Sequence, residues 1–402
     1  MKATGNESMR KGGESVLMKV IAWLHLWPSL ISAIVLIFVC LTGTIIVYGD
    51  EVMDLVNRDV LYVPYKGQKR LPSEVLLNEF KKNFPERRSP GYMVVFRDPG
   101  RSVKLNSFDP KVGLRMVYMD PYTGKVLRED KTIHFFYVTA HLHASLLWHG
   151  TGEWIIDIAT IIFLIELITG LVLWWPAKWT KTTREQSFKI KWKAKFKRLN
   201  YDLHNVLGFY SLAICLVLTL TGLIIAFKPL ARLTLASFGG ATSPRWEKSL
   251  PAFRVGKVPF ELNDIIERHF KSLPWAEAAQ VLTYRMDSSG YYSIAFSRKV
   301  GLKSRDGNEP VFVDRFSGKD LKIPHKAMVQ ENIENGYWAL HMGTWLGPVG
   351  KFITFTGGLI ATSLPVTGFY IWWGRRKKSK RKNTKSRAAN GGKSSLKVLP
   401  AR

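Results

Sequence analysis

Four long apolar runs, at 22–48, 154–175, 203–227 and 352–373, interrupt a chain that is otherwise polar and charged. Each holds about the 20 apolar residues that a helix needs to cross about 30 Å of hydrocarbon, so each predicts a membrane-spanning helix. Trp23, Trp27, Tyr48, Trp154, Trp174, Trp175, Trp372 and Trp373 stand at their ends, where interfacial aromatic anchors belong. The runs also repeat. Leu24-His25 leads to Leu41-Thr42-Gly43, and Leu203-His204 leads to Leu220-Thr221-Gly222, with glycine 18 residues after histidine both times. Leu142-His143 leads to Thr169-Gly170 and Trp174-Trp175, and Leu340-His341 leads to Thr367-Gly368 and Trp372-Trp373, with threonine 26 residues after histidine both times. The four spans are therefore two copies of a two-span unit, each span preceded by a histidine. An ionisable side chain beside a membrane span is costly unless it has a function. Four at repeated positions suggest metal or haem ligands.

The two long segments between spans each predict a small α+β unit. In the first, Val75, Leu76 and Phe80 have helical spacing over 72–82, with Ser73 as the expected N-cap. Strand-rich stretches follow at 92–97, 102–106 and 114–119. The second has a helix at 262–270 and strands at 279–286, 291–297 and 310–313. The segments close on Asp120-Pro121-Tyr122-Thr123-Gly124-Lys125 and Asp314-Arg315-Phe316-Ser317-Gly318-Lys319, which read as strand–turn–strand with glycine supplying a positive φ.

Charge orients the spans. Residues 177–200 carry nine Lys/Arg and one acid, and residues 375–402 carry twelve and none; with 1–20 these segments hold +22 of the net +28. Positive residues stay on the cytoplasmic side. The expected order is a cytoplasmic N-terminus at 1–20, a first span at 21–48 and a periplasmic domain at 49–133. A lead-in and second span follow at 134–176, then a basic cytoplasmic loop at 177–200 and a third span at 201–227. A second periplasmic domain at 228–336, a lead-in and fourth span at 337–374 and a basic, unstructured tail at 375–402 complete the chain. Charge of this kind contacts lipid, not nucleic acid. Cys40 and Cys215 lie within spans and are assigned no disulfide; an exported region without cysteine is compatible with a bacterial periplasm.

Helix, strands and the closing Asp-Pro-Tyr-Thr-Gly-Lys resemble a PepSY domain. The Leu-His…Leu-Thr-Gly spans, with Leu142-His143-Ala144-Ser145-Leu146-Leu147-Trp148-His149-Gly150-Thr151-Gly152, resemble the PepSY-associated transmembrane family of bacterial inner-membrane proteins, from Ile21 to Trp373. The fold class that follows is a membrane α-helical bundle of four transmembrane helices, a tandem two-helix repeat, with two periplasmic α+β PepSY-like domains. The resemblance also implies iron uptake, since some members are similar to siderophore reductases that hold b-type haem.

Imidazole is an axial ligand of haem iron. Eighteen residues of helix rise about 27 Å, which sets the two kinds of histidine near opposite faces of the bilayer. Pseudo-twofold symmetry pairs His25 with His204 and His143 with His341, for two haem b groups; ligation by one histidine and another side chain remains the alternative. His141 points away from the side of its helix that carries His143. His134 and His141 share a face, for a second metal or proton role or for structure alone, and His149 falls at an expected break before the second span. Glu166, deep in that span, would carry protons, bond a propionate or quinol, or be buried quietly. Lys351 and Arg115 are possible propionate partners. Gly208, Gly343, Gly347 and Gly350 would admit a macrocycle or a close helix, while the four Thr-Gly pairs read as helix packing. Trp148, Trp338 and Trp345 would form a substrate-docking surface.

The expected activity is oxidoreductase: electrons cross the inner membrane to an Fe(III)-siderophore in the periplasm, releasing Fe(II). With no Gly-x-Gly-x-x-Gly after a strand, the donor is a separate quinol or cytosolic flavoprotein. Lack of Cys-x-x-Cys-His excludes c-type haem attachment. Two other classes compete: a haem-free PepSY scaffold or peptidase regulator, and a siderophore or iron transporter with Glu166 and Asp157 as its only hints of a polar path.

Overall fold

The computed structural model describes residues 16–391 apart from 242–245, 247–249, 285, 287, 303 and 304. Among the described residues, four helices are long and apolar enough to cross a membrane: Val16–Ile46, Thr151–Trp174, Phe196–Ala226 and Thr344–Arg376. The helical elements are α1 (Val16–Ile46), α2 (Gly49–Val56), α3 (Ser73–Asn83), α4 (Thr132–Ser145), α5 (Thr151–Trp174), α6 (Lys181–Phe188), α7 (Phe196–Asp202), α8 (Gly208–Ala226), α9 (Lys228–Ser237), α10 (Leu262–Ser272), α11 (His325–Met342) and α12 (Gly347–Gly391). Chain contacts divide the protein into two compact units. One comprises 16–40, 158–216 and 357–391, the other 41–157 and 217–356.

In the first unit, Leu167, Cys215 and Ala361 form a buried cluster with Cys40, Phe163 and Leu212 packed around it. Gly357 lets α12 meet α8, because a Cβ there would lie 2.6 Å from Ile214. The loop after α5 is built on aromatic packing, with Trp174 stacked on Phe209 at 3.9 Å between centroids. Fully buried Asp202 accepts from the Lys191 backbone N–H and pairs with Arg198. The tail expected to lack structure continues α12 to Gly391, in keeping with the helix propensity of Lys, Arg and Ala; 392–402, like 1–15, lie outside the described residues.

The second unit is organised by one antiparallel sheet. Its strands are β1 (Tyr92–Phe96), β2 (Val103–Asp109), β3 (Gly113–Met119), β4 (Val126–Asp130), β5 (Ala278–Leu282), β6 (Tyr291–Ser297), β9 (Glu309–Asp314) and β10 (Asp320–Leu321), in spatial order β10-β9-β6-β5-β1-β2-β3-β4; β7 (Lys299–Val300) and β8 (Arg305–Asp306) form a separate ribbon. Both α+β segments are present, and they join edge to edge: β1 pairs with β5, Met93 opposite Val281. Period-2 alternation feeds two cores. Val117 and Met119 face one core with Leu76 and Phe80 of α3 and Ile265 and Ile266 of α10, so both sequence repeats share it. Met116 and Tyr118 face the other, with Met53, Ile133 and Phe136.

Ser73 is not the cap of α3. Pro72 holds the N-cap position, and the Ser73 hydroxyl donates to Asn263 Oδ1 at 2.5 Å, tying α3 to α10. The two closing turns form as expected: Asp120 Oδ1 accepts from the backbone N–H of Tyr122, Asp314 Oδ1 accepts from that of Ser317, and Gly124 and Gly318 have φ of 73° and 67°.

Candidate functional site: two histidine pairs

Each pair expected from symmetry is assembled, one in each unit. In the first, His25 comes from α1 and His204 from a π-helical turn, Leu203–Leu207, between α7 and α8; their ring centroids are 6.4 Å apart. A π turn inserts extra backbone into a helix and often marks a functional position. Here it carries the ligand candidate itself. In the second unit, His143 lies near the end of α4 and His341 near the end of α11, with centroids 6.1 Å apart. Both lead-in helices stop just beyond the histidine. α11 ends at Gly343 with φ of 72°, and α4 ends at Leu146 and Leu147 with φ of 51° and 59°. A β-unbranched leucine in this region is strained, and the strain buys the sharp break before α5.

Every histidine is received by a Thr-Gly dipeptide. His25 Nδ1 lies 3.1 Å from Thr169 Oγ1, His204 Nδ1 2.9 Å from Thr367, His341 Nδ1 3.0 Å from Thr221 and His143 Nδ1 3.4 Å from Thr42. The following glycine lies against the ring. A Cβ at Gly170, Gly368, Gly222 or Gly43 would stand 3.1, 3.2, 3.3 or 2.9 Å from the imidazole Cε1. The Thr-Gly pairs, read from sequence as helix packing, are therefore the receptors of the histidines. Their repeat was visible in the chain, but the 18- and 26-residue intervals run from a histidine to the receptor of a different histidine: Gly43 receives His143, and Thr169 receives His25. What the intervals could not show is that His25 meets Thr169-Gly170, not the Thr42-Gly43 that follows it on its own helix.

This arrangement fits a haem. Two imidazole nitrogens each about 2 Å from one metal put ring centroids about 6 Å apart, which both pairs match. With Nδ1 turned to threonine, Nε2 is the nitrogen available to iron. Among the described residues there is no group of three or more His, Cys, Asp and Glu side chains suited to a metal ion. Two protein ligands suffice when a porphyrin supplies four more.

The other sequence candidates stand apart. His134 accepts from the Leu114 backbone N–H at 3.2 Å and is stacked with Tyr137. His141 Nδ1 is 2.8 Å from Tyr137 O, and exposed His149 pairs with Glu153 at 3.3 Å. These three have structural or surface partners. Glu166 takes a hydrogen bond from buried Ser32 at 3.4 Å, one helical turn before Thr169. Trp338 packs edge-on to His341 at 6.5 Å, while Trp148 and Trp345 are exposed. Lys351 is not open to a propionate: it is buried and bonds Glu51 at 2.8 and 2.9 Å, with Asp50 at 3.7 Å. Arg115 pairs with Glu129. Gly343 and Gly347, with positive φ, turn the chain between α11 and α12.

Residues 22–375 match the family described as the PepSY-associated TM region. A comparison with curated proteins found no match.

Proposed function

This chain belongs to the PepSY-associated TM family, and we propose that it is a haem b oxidoreductase of a bacterial inner membrane that delivers electrons to an Fe(III)-siderophore in the periplasm. The observation that carries the reading is the pair of facing histidines, 6.4 Å apart in one unit and 6.1 Å in the other, each with Nδ1 directed to a threonine.

His25 and His204 would hold one haem and His143 and His341 the other. When bound, haem supplies reversible one-electron transfer. The chain's residues do the rest. The histidines would hold each group between two helices, the threonines would select which ring nitrogen is offered, and the apolar spans would keep water away. Trp338, against His341, gives the second pair an aromatic neighbour, and exposed Trp148 and Trp345 offer a docking surface for the chelate. Oxygen-rich chelators hold the harder Fe(III) more tightly than Fe(II), so one electron loosens the metal. The basic segments 1–20, 177–200 and 375–402 support a reading with both termini in the cytoplasm and the sheet in the periplasm. The electron donor is a separate molecule, a quinol or a cytosolic flavoprotein.

The test is haem stoichiometry in purified protein. Two b-type haems with a Soret band that shifts on reduction are expected. His25→Ala or His204→Ala should each remove one, and His143→Ala or His341→Ala the other. Protein that stays colourless when porphyrin is supplied during expression overturns the reading.

A further inference from the structure

We propose that Thr169, Thr367 and Thr221 are positioning residues that fix the tautomer of His25, His204 and His341 and, through it, bias each haem toward Fe(III). The inference rests on the haem reading above.

A threonine hydroxyl has one proton. Thr169 donates its proton to Ile165 O at 2.7 Å, Thr221 to Val217 O at 2.7 Å, and Thr367 to Leu364 O or Ser363 O at 3.0 and 3.1 Å. With that proton committed to the threonine's own helix, Oγ1 presents only lone pairs to the imidazole. The ring proton must then sit on Nδ1 and donate to Oγ1, which leaves the Nε2 lone pair for the metal. Donation from the outer nitrogen makes the ligating nitrogen more basic and fixes the ring's orientation. A more basic axial ligand stabilises the more highly charged iron.

Glycine makes the contact specific. At 2.9–3.3 Å from Cε1, any Cβ would push the ring edge off the helix and away from the hydroxyl beside it. Each threonine serves a histidine of its own sequence repeat, whereas each histidine pair joins the two repeats. One haem therefore answers to Thr169 and Thr367, and the other to Thr221.

Valine keeps the shape of threonine and removes the oxygen; serine keeps the oxygen. In a spectroelectrochemical titration of the full-length protein, Thr169→Val and Thr367→Val should each raise the midpoint of the same haem. The expected change is tenfold in its Fe(III)/Fe(II) equilibrium, about 59 mV for one electron, with the other haem unmoved. Thr221→Val should do the same to the second haem, and the serine variants should restore wild-type midpoints. A valine variant that loses haem while its serine counterpart keeps it supports the same role. Midpoints unmoved in the valine variants, or serine variants that shift or lose haem as valine does, overturn the inference. Wild-type protein without haem overturns the function proposed above instead.

Discussion

His143 and His341 belong to different copies of the sequence repeat, yet their rings face each other at 6.1 Å, and each is braced by a threonine from its own copy. Pairing between copies and bracing within a copy together make one site from two halves. Each of the two pairs takes one histidine from each copy.

Enlarging a receptor glycine should dislodge its histidine. Gly43→Ala puts a methyl group 2.9 Å from His143 Cε1, closer than such contacts tolerate, with the ring wedged against helix backbone. The expected outcome is loss of most of one haem from purified protein, with the other retained. Gly374→Ala, where a Cβ meets nothing within 4 Å, should leave both. Absorbance per polypeptide measures both.

The Lys351 network should respond strongly to loss of its cation. Lys351→Met leaves Asp50 without its cation and Glu51 with Lys299 alone; a fully buried pair broken from one side costs about 3–5 kcal/mol, and the 40 % exposure of Glu51 puts this cost below that range. A lowered thermal midpoint is expected, partly recovered in Lys351→Met with Glu51→Gln. Acid tests the same network. Burial pushes the Glu51 carboxyl up, but hydrogen bonds from Lys351 and Lys299 outweigh it and hold the group below its usual range. Its contribution is therefore fully present above about pH 4.3, the unfolded value, and is lost as pH falls through the lower folded value. Asp50 is raised, by burial against the pull of Lys351, so its contribution has the opposite sign and fades as pH rises. Glu51→Gln should flatten the acid limb of a stability–pH profile and leave the Asp50 limb in place.

The shared core makes a further demand. Ile265 of α10 is fully buried in a cluster that includes Met93, Leu105 and Val117 from the other repeat. Ile265→Ala should cost about 2–5 kcal/mol and reduce hydrogen-exchange protection in β1–β3 as well as in β5 and β6. Protection lost only in the second repeat would mean that the two halves unfold independently.

Orientation is open to direct chemical labelling. Cysteine at exposed Phe108 in β2 should react with a membrane-impermeant thiol reagent added to cells with a permeable outer membrane. Cysteine at Lys193, in the basic loop, should react only after the inner membrane is opened. Buried Cys215 and half-buried Cys40 keep the background low.

Much of this was legible in the chain. Apolar length fixed the four spans, because a helix must satisfy its backbone within itself to cross hydrocarbon. Alternation fixed β3 and β6, and Asp-x-x-x-Gly fixed the turns after β3 and β9. The repeat singled out four of nine histidines, since chance does not reproduce intervals of 18 and 26 residues in both halves, and the structure brings those four together as two pairs.

Tertiary packing decided what period and interval cannot express. Hydrophobic alternation says which face of a strand is buried but not which strand lies beside it, so the joining of β1 to β5 into one sheet had no sequence signal. Helical spacing put Thr169 and Gly170 on a span but not opposite His25, because that contact depends on how α1 and α5 pack. Only with the helices placed does a dipeptide that looks like packing become the surface that orients an imidazole.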